Sequence, residues 1–155
     1  MEKITTVIIG HGRKHRKINV DYNKTYFIDK DPKCEPDLVV DFAKNKIESS
    51  HKFQRLMFIC SARMILQVYS PEKRCEILLP LSIQNILVLL KLNGYLYTTN
   101  VYSLPKNITK RDQNFIQDIS SFGFELIGRE EIQVQEKPPS FNEMMVFKKI
   151  IDNHI

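Results

Sequence analysis

Val7-Ile8-Ile9-Gly10-His11-Gly12 is a short apolar run that stops at two glycines, and a second apolar run, Tyr26-Phe27-Ile28, closes on the acid Asp29. A buried strand that ends in glycine lets backbone approach a ligand closely, and a carboxylate at the tip of the next strand can grip a ribose diol. The pairing points to a nucleoside-containing cofactor, with an ordinary tight turn as the alternative reading of Gly10-His11-Gly12.

Working outward, the connection between these runs is too short for a regular crossover. Between Gly12 and Thr25 lie a basic cluster and Ile18-Asn19-Val20-Asp21-Tyr22-Asn23, brief and rich in β-branched residues. The spacing predicts a first crossover helix that is short or absent. A regular helix there would aim its amides at a pyrophosphate, so a dinucleotide loses its usual anchor and a cofactor without phosphates is favoured.

Further along, short runs rich in Val, Ile and Phe alternate with two segments of helical period, the pattern of an α/β domain. The predicted strands are Thr5 to Ile9, Thr25 to Ile28, Leu38 to Val40, Arg55 to Cys60, Tyr95 to Val101, Phe124 to Ile127 and Glu143 to Ile150. The predicted helices are Ser82 to Leu92, stopping at Asn93-Gly94, and Lys110 to Ser121, stopping at Gly123. Continuous apolar character argues for strands covered on both faces, as in a parallel sheet. The last two strands lack a helix between them and should pair antiparallel, with Pro138-Pro139-Ser140 separating them.

Composition sets the outer limits. With 155 residues, 43% of them hydrophobic and 26% charged, residues 1–155 read as a single folded domain rather than a disordered chain. The net charge of +5 owes part of its value to Arg13, Lys14, His15, Arg16 and Lys17. That run is a solvated loop or an attractor of an anionic partner such as RNA; no interleaved aromatic motif supports base readout. Cys34, Cys60 and Cys75 show no CxxC spacing, and no signal peptide or long apolar span is present. Free thiols in a reducing, cytoplasmic setting away from membranes are expected. The scattered His11, His15, His51 and His154 do not supply a zinc set, so no metal is expected.

The order of elements resembles the class I S-adenosylmethionine-dependent methyltransferases, a Rossmann-like α/β fold with a mostly parallel seven-stranded sheet and a reversed C-terminal β-hairpin. The residues that carry the resemblance are Gly10-His11-Gly12, Asp29, Pro36-Asp37-Leu38-Val39-Val40-Asp41-Phe42, Leu89-Leu90-Lys91-Leu92-Asn93-Gly94-Tyr95-Leu96-Tyr97 and Phe122-Gly123-Phe124-Glu125. It implies that S-adenosylmethionine is the cofactor. Gly10, His11 and Gly12 would line its methionine part, and Asp29, with Lys30 beside it, would meet the ribose. Asp41 would meet the adenine amino group, and Phe42 would either pack on the ring or belong to the core. Cys60 and Ser61 would close the fourth strand where cofactor and acceptor meet. The first motif departs from the family in its missing third glycine and in Arg13-Lys14, and neither an Asn/Asp-Pro-Pro-Tyr/Phe signature nor a Lys-Asp-Lys-Glu set is recognisable. The resemblance thus implies a methyltransferase of unidentified acceptor. The alternative is a catalytically inactive methyltransferase-like partner or scaffold subunit, with RNA association through Arg13 to Lys17 as a further option.

Overall fold

The computed structural model describes residues 4–10, 20–42, 44–58, 81–99, 110–136 and 139–152. The strands are β1 (Thr6–Ile9), β2 (Thr25–Asp29), β3 (Leu38–Val39), β4 (Phe53–Phe58), β5 (Leu90–Thr99), β6 (Phe124–Glu136) and β7 (Pro139–Lys149), with helices α1 (Leu81–Leu89) and α2 (Lys110–Ser121). One seven-stranded sheet takes the order β3-β2-β1-β4-β5-β7-β6. Pairing is parallel from β3 to β5, and β7 runs antiparallel to both β5 and β6. The chain is therefore α/β with a mostly parallel sheet and a reversed terminal hairpin, as the run pattern predicts.

Alternation along the strands divides the apolar residues between two faces. Val7, Ile9, Leu56, Phe58, Leu96 and Phe147 join Ile83, Ile86 and Leu87 of α1 and Ile119 of α2 in the larger core. Ile8, Met57, Tyr97, Met144 and Val146 form a second cluster on the other face. α1 is apolar nearly all round and correspondingly buried, whereas α2 is amphipathic and ends at Gly123, whose φ of 97° suits a residue without Cβ. Among the described residues, no helix is long and apolar enough to cross a membrane.

β4 begins at Phe53 rather than Arg55, and two boundaries differ more widely from the sequence reading. α1 stops at Leu89 and β5 starts at Leu90, so Lys91 to Gly94 is an excursion within β5 rather than a helix end. Leu90 pairs with Phe53 and Tyr95 with Arg55, so the bulge stands opposite Gln54. Asn93 takes the left-handed conformation at φ 66°. Gly94 is needed for a different reason: a Cβ there would lie 2.9 Å from both the Gln54 and Lys91 carbonyl oxygens.

The second difference is the hairpin. Pro139 opens β7 instead of separating it, and Glu136 pairs with Pro139. Among the described residues, the pairing of β5 with β7 ends at Thr99–Met144, and residues 139–143 pair with β6 over about 17 Å. The first crossover falls largely on residues 11–19, outside the described set. Its described end carries one 3-10 turn, Tyr22–Lys24, whose cap Asp21 accepts a hydrogen bond from the Asn23 N–H at 3.0 Å.

Candidate functional site

In an open parallel sheet, ligands settle beyond the carboxyl ends of the strands where the strand order reverses. Here the reversal is at β1, which has β2 on one side and β4 on the other. Gly10 follows β1 with φ 66°, and its N–H donates to the Ile28 carbonyl at 2.9 Å. The Ile9–Ile28 pair sets Gly10 beside Asp29, and the Asp29–Val39 pair carries the row on to β3. At about 4.8 Å per strand, the ends of β1 and β3 stand roughly 10 Å apart, a span suited to a nucleoside.

The partly buried Asp29 has its Oδ1 accepting from the Asp31 N–H at 3.0 Å, which fixes the carboxylate at the strand tip. Its carbonyl accepts from the Val40 N–H at 3.0 Å. Lys30 is exposed next to it. The chain then turns tightly. Asp31 accepts from the Lys33 N–H at 2.9 Å, Glu35 takes φ 50°, and Asp37 returns to β2 by accepting the Phe27 N–H through Oδ2 at 2.8 Å. These local carboxylate bonds make a two-residue β3 viable.

Asp41 lies just past β3, partly buried, in a turn where its carbonyl accepts from the Asn45 N–H at 2.8 Å. Phe42 is fully buried, its ring edge-on to Phe58 at 5.4 Å between centroids. Of the two readings of this residue, the core role is the one the packing displays. Asn85, fully buried in α1, secures the turn. Its Nδ2 donates to the Phe42 and Asn45 carbonyls at 2.9 and 2.8 Å, and its Oδ1 accepts from the Ile47 N–H at 2.9 Å. The sequence reading missed Asn85, although an amide within Ile83-Gln84-Asn85-Ile86-Leu87 is the available signal, since a buried polar side chain needs partners.

Among the described residues, two buried hydroxyls, Ser82 Oγ and Thr98 Oγ1, have no hydrogen-bond partner. Thr98 pairs with Phe58 at the carboxyl end of β4, and Ser82 stands one turn before Asn85 on α1. His11, Gly12, Cys60, Ser61 and the basic run Arg13 to Lys17 lie outside the described residues.

Gly10 and Asp29 thus stand at neighbouring strand ends, and Asp41 follows two residues beyond the Val39 that pairs with Asp29. No protein-family model matches the chain, and no curated protein sequence matches it.

Proposed function

We propose that the chain is an S-adenosylmethionine-dependent methyltransferase of the Rossmann-like class I type, binding its cofactor across the carboxyl ends of β1, β2 and β3. The observation that carries the reading is the left-handed Gly10 next to the β2 end that holds Asp29, with Asp41 just past β3, at the reversal of a sheet ordered β3-β2-β1-β4-β5-β7-β6. A glycine allows the close approach of a ligand, and two acids at successive strand tips offer acceptors for a ribose diol and an adenine amino group.

The cofactor would supply an electrophilic methyl group. Gly10 and Gly12, with His11 between them, would pass beneath its methionine portion, and Asp29 with Lys30 would hold the ribose end. Asp41 would receive the adenine amino hydrogens in a turn that Asn85 keeps in place. Cys60 and Ser61 would leave room at the end of β4 for the acceptor. With both reactants held in line, proximity and orientation can supply much of the rate, and the reading invokes no metal. An RNA acceptor drawn by Arg13 to Lys17 and a reducing cytoplasmic setting belong to the same proposal.

One observation favours a second reading. The Phe42 ring is enclosed by the core rather than presented to a ligand, as suits a methyltransferase-like partner or scaffold subunit that has given up its cofactor. Isothermal titration with S-adenosylmethionine and S-adenosylhomocysteine separates the two. The enzyme reading expects saturable heat, weakened about tenfold by Asp29→Asn through loss of a charge-assisted hydrogen bond. Absence of both heat and thermal shift at about 1 mM ligand leaves the partner reading.

A further inference from the structure

The face of the sheet opposite the two helices holds a cavity of about 510 Å³, within the range of small-molecule sites. It lies toward the amino ends of the parallel strands, away from Gly10, Asp29 and Asp41. Register places its parts. Thr6 is paired with Arg55, and Ile8 with Met57, which in turn pairs with Tyr97. Side chains two apart on a strand share a face, so Thr6 and Arg55 form one row and Met57 and Tyr97 the next.

The two ends of the cavity differ in chemistry. At one end stands the exposed Arg55, whose backbone N–H donates to the Thr5 carbonyl at 3.0 Å and whose guanidinium, a planar set of N–H donors, has among the described residues no ion pair or hydrogen bond. Beside it the Thr5 and Thr6 hydroxyls lie 3.4 Å apart, so one donates to the other and one donor is left over. Lys24 adds a second cation at the wall. The Thr25 hydroxyl is already committed to the Asp21 carbonyl at 2.6 Å, and the Asp21 carboxylate to the Asn23 N–H. At the other end the Tyr97 hydroxyl is hydrogen-bonded to Glu130, an exposed acceptor. Met57 and the buried ring of Tyr97 form an apolar floor between them. An adjoining hollow of about 340 Å³ shares Tyr97 and Glu130, and at Gly128 a Cβ would meet nothing within 4 Å.

We infer that this cavity is a second binding site, for a small organic anion. Its carboxylate or phosphate meets Arg55, Lys24 and the Thr5–Thr6 hydroxyls, its flat apolar body lies on Met57 and Tyr97, and its far end donates a hydrogen bond to Glu130. The donor-rich end selects the anion because a guanidinium pairs with oxyanions in fixed geometry. The acidic end rejects a ligand charged negatively at both ends. The site stands independently of whether the carboxyl edge binds S-adenosylmethionine.

The test is amide NMR titration of the full chain with 4-aminobenzoate, 4-aminophenyl phosphate and, as a neutral control, 4-aminobenzamide. Saturable shifts at Thr6, Arg55 and Tyr97 with one or both anions, at Kd below about 1 mM, are expected. Which anion binds more tightly identifies carboxylate or phosphate as the natural group. Arg55→Gln should weaken binding at least about tenfold and Glu130→Gln about threefold. Both positions are exposed, so the variants should keep the parent's thermal melt and its response to S-adenosylmethionine. The inference is overturned if neither anion saturates, if 4-aminobenzamide binds equally well, or if either substitution leaves the affinity unmoved.

Discussion

Asn85 sits fully buried in a mostly apolar helix, and its one amide group holds three backbone groups of the turn that follows β3. Replacing it with alanine would strand the Phe42 carbonyl and the Ile47 N–H away from water and free the part-buried Asn45 carbonyl. Each net hydrogen bond is worth about 1 kcal/mol, and an unsatisfied buried group costs about 1–3 kcal/mol. Asn85→Ala should therefore lower unfolding free energy by about 3 kcal/mol in urea melts, with the turn carrying Asp41 loosened. A loss below about 0.5 kcal/mol would mean the amide is not holding that turn. Gly10, Asp29 and Asp41 were legible in the sequence because each ends a short apolar run, where the chain must leave the sheet. Asn85 was harder to find because its partners at 42, 45 and 47 are some forty positions away. An amide in an apolar segment announces a need for partners without saying which ones.

At the scale of elements, α1 passes into β5 with no loop between them, and two lysines make that junction possible. The last carbonyls of a helix have no partner within it. Lys52 Nζ donates to the Leu87 and Val88 carbonyls at 3.0 and 3.2 Å, and the fully buried Lys149 Nζ donates to those of Leu87 and Leu90 at 3.2 and 2.8 Å. Lys149 also lies 3.6 Å from Asp152. Lys149→Met should destabilise the chain by about 2 kcal/mol in thermal or urea unfolding, because the Leu90 carbonyl loses its charged donor. Unchanged stability would show that relief of a buried charge offsets that loss. The sequence reading placed α2 at Lys110 to Ser121, where its period and terminal glycine are local signals. It placed the end of α1 too late, since the lysines that end that helix belong to segments far along the chain. It also drew β6 too short, because the extra length rests on pairing with β7, which turn residues near Pro138 obscure.

For the molecule as a whole, the seven runs and their mostly parallel arrangement were legible because strands covered on both faces read as continuous apolar sequence. The capture of β7 between β5 and β6 is a property of the assembled sheet. Two buried groups on opposite faces give alkaline stability a shape that can be measured. Burial, assisted by Glu130, raises the Tyr97 hydroxyl above its ordinary value of 10.0. The unfolded chain then gives up that proton first, and stability falls as pH climbs from 10.0 through the folded value. Burial, assisted by Lys52, lowers Lys149 below 10.5 despite Asp152. There the unfolded chain holds the proton longer, and stability rises as pH climbs through the same region. Urea melts between about pH 8 and about pH 11 should show these trends partly cancelling. Tyr97→Phe should tilt the profile upward and Lys149→Met downward; identical slopes in the three proteins would refute the assignment.

The tie from Lys149 to the foot of α1 also governs when the Asp41 turn can mature during synthesis. α1 carries the amide that clamps this turn, yet its own end is completed by a residue of β7, which is made after the other described strands. Until that strand slots between two earlier ones, β6 has no neighbour through which to join the sheet and the helix lacks one of its two charged caps. A nascent chain can therefore assemble β1, β2 and β4 early, while a settled Asp41 turn awaits translation of β7.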